Sequence, residues 1–326
     1  MIIATADSSI GMGGPAMVEG GGLGVFRPEE IGPMSVQEAN GVVDIAVADE
    51  VAAVAAARAY LSYFQGRTAD WTAADQRVLR TLVPENRRRG YDIRRVIEAL
   101  ADTGSVLELR PAFGRAMITA LIRIEGRAVG VIANNPQYLA GAVDSDGADK
   151  AARFMKICDA FDLPILSLCD TPGIMVGPEA ERTGLVRHTA RMFVTGANLT
   201  VPLVAVVLRK AYGLGVLTMA VGSFKSTAMT LAWPTGEFAG MGLEGQVKLG
   251  HRAELAQIAD PAQRARRYED LLAAAYEHGR AIHQGESYGV DDVIDPADTR
   301  AIVAGVFGSV RQPGHEGKKR PSIDTW

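Results

Sequence analysis

Apolar residues in this chain follow two rhythms, and the alternation between them lays out most of the expected fold. Continuous apolar runs, as strands buried on both faces require, occur at 163–169 and from Val201 to Arg209-Lys210. The second run turns through Tyr212-Gly213-Leu214-Gly215 and continues to Val221 with helix-compatible spacing. Helical periodicity places Ile93, Val96, Ile97 and Leu100 on one face after a loop that begins at Pro84. It likewise places Ala151, Phe154, Met155, Cys158 and Phe161 on the core side of a helix over 147–161. Further helices are predicted at 49–63, with carboxylates at its start and an apolar stripe, at 184–198, and over most of 252–284 with a break at Pro261. Short strands are predicted at 106–109 and 227–232, and a hairpin pairs 117–124 with 128–133 across Glu125-Gly126-Arg127. Residues 1–4 form an apolar stub followed by two glycine clusters, 65–74 is polar, and 170–182 is a loop. Alternating hairpin-strand and helix units define an α/β chain.

Length and composition narrow the function classes. The chain has 326 residues, 48% apolar and 22% charged, enough for two domains. A net charge of -4 and no basic run interleaved with aromatics leave no nucleic-acid partner expected. The basic stretch at 317–320 sits in a polar tail and is expected to be solvated. No apolar run reaches membrane-spanning length and no signal-like start precedes the chain, so no membrane contact is expected. Two cysteines, Cys158 and Cys169, fall in core-type patterns, which points to packing in a reducing compartment, the cytoplasm.

Side-chain chemistry is sparse. The five histidines, at 188, 251, 278, 283 and 315, make no metal-type spacing with carboxylates, and no metal is expected. His278 and His283 are expected to be solvated. No nucleophile elbow, phosphate loop or zinc signature is present. Backbone chemistry remains. Asp170-Thr171-Pro172-Gly173-Ile174-Met175 follows a buried strand, at the end where α/β proteins gather ligands. The Tyr212–Gly215 turn is the second such strand end, and the first amides of the following helix have no internal partner and carry the positive end of its dipole. It is a candidate oxyanion hole, although from spacing alone an ordinary strand–helix connection is the better account.

With these residues in view, the chain resembles the carboxyltransferase subunit (β-type) of biotin-dependent acyl-CoA carboxylases. The resemblance is carried in order by PENRRRGYDIRRVIEALAD, ANNPQYLAGAVDSDGADKAARFMKICDAFDLPILSLCDTPGIMVG, VRHTARMFVTGANLTVPLVAVVLRKAYG, AWPTGEFAGMGLEG and YGVDDVIDP. It implies a crotonase-like ββα spiral, with residues 1–65 a remnant of the N-terminal carboxyltransferase domain, 66–83 a linker, 84–310 a complete C-terminal domain and 311–326 a polar tail. It implies carboxyl transfer from carboxybiotin to the α-carbon of an acyl-CoA, as in fatty acid metabolism. The oxyanion amides fall at Leu214 and Gly215, just after Gly213. Biotin is expected against Asp170, Pro172, Gly173, Ile174 and Tyr212, between subunits of an oligomer.

The implied partners are the biotin carboxyl carrier and biotin carboxylase subunits. CoA is held mainly by the N-terminal domain, most of which is absent here, so the sequence is expected to be a fragment or an internally started product, or else another polypeptide supplies that half. Two departures stand out. Gly213-Leu214-Gly215-Val216 replaces the usual Gly-Gly-Ala-Tyr, and Leu217 stands where an acidic residue often selects substrate, pointing to a branched or longer acyl group. The alternatives are a non-catalytic subunit that docks a biotin carrier, and another crotonase-type CoA enzyme using Glu179, Glu181 or Glu237, each expected in a solvated setting.

Overall fold

The computed structural model describes residues 1–310 and 322–325, so the 317–320 basic stretch and most of the predicted tail lie outside the described residues. Two short strands, β1 (Ile3–Thr5) and β2 (Ile45–Val47), pair in parallel as a small sheet. The main sheet contains β3 (Leu107–Leu109), β4 (Met117–Ile124), β5 (Arg127–Asn134), β6 (Ile165–Thr171), β7 (Leu203–Tyr212), β8 (Met229–Ala232), β9 (Glu237–Ala239) and β10 (Asp292–Val293). Its order is β10-β8-β7-β6-β5-β4-β3, with β9 also paired to β7. Strand β4 runs antiparallel to both β3 and β5, and β5 through β8 are parallel.

The uninterrupted apolar runs are explained by burial on both faces. Along β6, Ile165 and Cys169 enter one core cluster while Leu166 and Leu168 enter the other. Along β7, Leu203, Ala205 and Val207 oppose Val204, Val206 and Leu208 in the same way. The helices Ser145–Ala160, Leu185–Ala197 and Gly213–Met219 cover the first face through Phe154, Met155, Met192, Val216 and Met219. Arg94–Leu100 and Thr299–Ser309 cover the second through Val96, Ile97, Leu100, Val303 and Phe307. Cys158 and Cys169 are buried free thiols, as their patterns predict, and burial pushes both well above the ordinary thiol pKa.

The hairpin forms with a tighter turn than read: Arg127 joins β5 opposite Ile124, leaving a two-residue turn in which Glu125 (φ 52°) and Gly126 (φ 77°) are both left-handed. That is the type I′ geometry whose twist matches paired strands. Asp102 accepts hydrogen bonds from both turn amides, at 2.9 and 2.7 Å, and pairs with Arg300 of the last helix.

Several expectations change. The alanine-rich helix Glu50–Ser62 has no buried residue along it, so its expected core stripe is absent; only Tyr60, and Tyr63 and Phe64 just beyond it, pack on the first core cluster. Alanine's helix propensity and the Asp49 side chain accepting from the Ala52 amide account for its formation without burial. Leu79 and Val83, inside the stretch read as a linker, are core residues of the second cluster. The 170–182 loop contains a short helix, Pro178–Arg182. The helices Leu243–Gly250 and Thr299–Ser309 and the strand β9 were not visible in the apolar pattern.

Candidate active site

Strands β6 and β7 are parallel neighbours, so their carboxyl ends open on the same edge of the sheet. There Gly173 (φ +131°) follows β6, and Gly213 (φ +55°) opens the helix Gly213–Met219 directly after β7. A Cβ on Gly215 would lie 2.6 Å from both Cα and C of Gly173 and 2.9 Å from its carbonyl oxygen. The two glycine-bearing strand ends therefore meet backbone to backbone. A Cβ on Gly213 would lie 2.9 Å from the carbonyl oxygen of Gly240, just past β9, so that side is equally close.

The helix start is left open. Its N-cap, Tyr212, makes no capping hydrogen bond from its side chain, and no acidic residue occupies the first turn. The amides of Gly213, Leu214 and Gly215 have no intrahelical acceptor and add to the positive end of the dipole. Leu214 replaces a smaller residue without removing a donor, since any non-proline residue supplies an N–H, and its side chain is 60% exposed.

Asp170 needs a correction. Its side chain is fully buried, held by Arg209 Nε and Nη2 at 3.0 Å each and by the Lys210 amide at 3.1 Å. The Arg209 guanidinium also donates to the Arg89 carbonyl at 2.9 Å. The Asp170 side chain thus ties the two strand ends together. Gly173 supplies backbone alone, while Pro172 and Ile174 are half-buried and Pro172 lines a cavity beside Tyr212.

Glu237 is the second correction. Expected in solvent, its side chain is only 12% exposed, accepting from the Tyr212 hydroxyl at 2.9 Å and pairing with Arg87 at 3.3 Å. Arg87 in turn stacks 3.6 Å over the Tyr276 ring. Burial, reinforced by the Glu237 charge, raises the Tyr212 pKa far above its ordinary value, so the phenol stays a donor. Glu179 and Glu181 are exposed, as expected, with Glu179 paired to Arg182. His188, His251 and His283 are engaged with Asp149, Glu254 and Glu286, and none is joined to a nucleophile.

Two cavities flank the Tyr212–Gly213 junction. One, about 310 Å³, is lined by Pro172, Tyr212 and the charged side chains of Arg87, Arg209, Lys210 and Glu237. The other, about 560 Å³, is walled by Val216, Leu217, Phe224, Phe238, Leu243 and Ala275 beside Gly213. Arg87 and the two phenylalanines escaped sequence reasoning because they come from three separate segments with no shared motif.

An uncapped amide turn at the carboxyl edge of such a sheet is chemically able to hold a negative oxygen. Residues 1–308 match the carboxyl transferase domain, and the chain belongs to that family. It is 40% identical over 233 residues to the propionyl-CoA carboxylase beta chain of Roseobacter denitrificans, covering 72% of this chain and 44% of that one. It is also 40% identical over 227 residues to the methylmalonyl-CoA carboxyltransferase 12S subunit of Propionibacterium freudenreichii subsp. shermanii, covering 69% and 43%.

Among solved structures, a single-chain, multi-domain long-chain acyl-CoA carboxylase superposes with a TM-score of 0.87 at 55% identity, over 94% of this chain and 30% of that one. The transcarboxylase 12S hexamer, with methylmalonyl-CoA and methylmalonic acid bound, gives 0.82 at 32% identity, over 98% and 64%. The architecture is the expected α/β, crotonase-like carboxyltransferase fold. The chain spans less than half the length of these two curated relatives.

Proposed function

We propose that this chain forms part of a carboxyltransferase that moves a carboxyl group from carboxybiotin to the α-carbon of an acyl-CoA. The observation that carries the proposal is the uncapped turn at Gly213, Leu214 and Gly215, seated on the Gly173 backbone. Its amides hold the oxygen that becomes negative when the acyl-CoA enolises or when the biotin ureido group is released. Such donors act because they are aimed in advance at developing charge. Carboxybiotin supplies the carboxyl group; Asp170, Arg209 and Lys210 hold the two strand ends in register. The exposed edge around Leu214 and the charged cavity beside Tyr212 favour an arm that arrives from outside, delivered by a biotin carrier working with a biotin carboxylase. A second copy or another polypeptide completes the CoA-binding half. The buried free thiols favour a reducing compartment, the cytoplasm.

Label exchange between a malonyl-type CoA and biotin tests the reading, with the chain combined with its companion chains. Gly215→Pro removes one donor, and exchange should fall by roughly 10²–10³-fold. An unchanged rate takes Gly215 out of the reaction. Exchange that never occurs, together with capture of a biotinylated carrier, would leave a docking subunit instead of an enzyme.

A further inference from the structure

Every charged side chain lining the cavity beside Tyr212 is already paired within the protein. Arg87 meets Glu237 at 3.3 Å, Arg88 meets Glu244 at 3.6 Å, and Arg209 and Lys210 meet Asp170 at 3.0 and 3.6 Å. Matched charges from separate segments hold chain in place, and here they converge on the residue just before the amide turn. We propose that Arg87 is a positioning residue: acting through Glu237 and Tyr212, it holds the Gly213–Gly215 amides in the geometry the negative oxygen requires. The inference rests on the carboxyl-transfer reading and adds a residue that lies outside both glycine turns.

Tyr212 and Glu237 meet through strand register. Strand β9 lies along the far end of β7 with Glu237 opposite Lys210 and Ala239 opposite Tyr212. Side chains two residues apart share a face of a sheet, so Glu237 reaches Tyr212 diagonally and accepts from its hydroxyl at 2.9 Å. Tyr212 therefore leaves its own helix uncapped and is tied sideways to β9. Its side chain is buried, and in a close-packed interior the ring and the peptide entering Gly213 move together.

A carboxylate withdrawn from water needs a cation, and Arg87 brings one to Glu237 from the 84–90 segment. Arg87 is itself fixed. Its guanidinium lies 3.6 Å over the Tyr276 ring, a flat stack suited to arginine and not to lysine. The Tyr276 hydroxyl donates to Glu244 at 2.8 Å, the same carboxylate that Arg88 meets. The Arg89 carbonyl accepts from Arg209 at 2.9 Å. Three consecutive arginines thus tie one segment to β9, to the helix Leu243–Gly250 and to β7.

The test combines label exchange, run with the companion chains, and hydrogen exchange of a peptide spanning 212–219. Arg87→Met keeps an unbranched stem over Tyr276 and removes the charge. It should lower kcat roughly 10²-fold and leave the acyl-CoA KM within about twofold, the split expected when the amides act on developing charge. Hydrogen exchange should quicken at least about tenfold. Arg87→Met with Glu237→Gln removes both charges and keeps an acceptor for Tyr212. That pair should recover kcat to within about tenfold of the parent and restore slow hydrogen exchange, because no stranded carboxylate remains. Tyr212→Phe should repeat the kcat loss, and adding Arg87→Met to it should lower kcat no further, since both break one path.

A parent-like kcat in Arg87→Met overturns the proposal, whatever its hydrogen exchange. A raised KM with kcat intact overturns it as well, since Arg87 would then hold substrate. A double variant no better than Arg87→Met traces the loss to packing and overturns the charge relay. If the parent exchanges no label, the carboxyl-transfer reading falls and hydrogen exchange alone decides the brace. Faster exchange in Arg87→Met that the double variant restores then keeps it, and any other pattern overturns it.

Discussion

Replacing Gly215 with alanine probes the contact on which the candidate site is built. The new Cβ would stand 2.6 Å from the Cα and C atoms of Gly173 and 2.9 Å from its oxygen, all of them backbone. Ordinary contact begins near 3.4 Å, so the two turns must separate by about 0.8 Å in an interior that transmits such strain. Overpacking of this kind costs about 1–3 kcal/mol, and alanine returns about 1 kcal/mol as a better helix former. The net loss is at most about 2 kcal/mol, a fall of a few degrees in Tm for a domain of this size. Catalysis should suffer far more, because a misplacement of about 1 Å costs roughly 10²-fold. Label exchange and differential scanning calorimetry on the same preparation separate the two effects. Gly305→Ala is the control: its Cβ meets nothing within 4 Å in the helix Thr299–Ser309, so it should stabilise slightly and leave exchange intact. Exchange by Gly215→Ala within about twofold of the parent would refute the reasoning.

Three further outcomes are expected. Asp102→Ala strands the buried Arg300 guanidinium and frees both amides of the 125–126 turn, so it should cost about 3–5 kcal/mol in urea unfolding; a loss below about 1 kcal/mol would contradict the clamp. Lys150 is buried, donates to the Phe113 carbonyl at 2.9 Å, and burial pushes its pKa from 10.5 down to about 7. The unfolded chain then binds the extra proton from pH 7 upward, so stability should rise with pH between about 7 and 8, by up to about 1.4 kcal/mol per unit; at higher pH the Cys158 and Cys169 thiols, held protonated by burial, ionise in the unfolded chain and oppose the rise. Lys150→Met should flatten that slope, and a parent curve that falls there would exclude it. Glu237→Gln keeps an acceptor for Tyr212 and should retain turnover within about tenfold, with Glu237→Ala lower; abolition by the glutamine would make Glu237 a reacting carboxylate.

Much of the fold was legible in the chain's apolar rhythm. The β6 and β7 runs, the Glu125-Gly126 turn and the helix Ser145–Ala160 each repeat a local period long enough to read. Strand β9 was not, because three residues after a Pro234-Thr235-Gly236 turn show no period, and it is a strand only through pairing with the far end of β7. The helix Thr299–Ser309 was missed for a related reason: Ile302, Ala304 and Val306, partly buried beside the Val303 and Phe307 stripe, blur the polar contrast between its faces.

The candidate site divides along the same line. The sequence by itself marked the glycine turns after the two strands: φ of +131° at Gly173 suits a residue without Cβ, and at Gly213 a Cβ would meet the Gly240 carbonyl oxygen at 2.9 Å. It also determined which amides begin the helix, because backbone donors depend on position in the chain and little on side chain. Only the tertiary structure decided that Gly215 rests on Gly173, that Asp170 is sealed against Arg209 and not open to a ligand, and that Glu237 is drawn from solvent to Tyr212 and Arg87. The physical reason is that burial and charge partnership are properties of segments brought together from afar. Asp170 and Arg209 are 39 residues apart and Arg87 and Glu237 are far more distant still, a separation that no local period encodes.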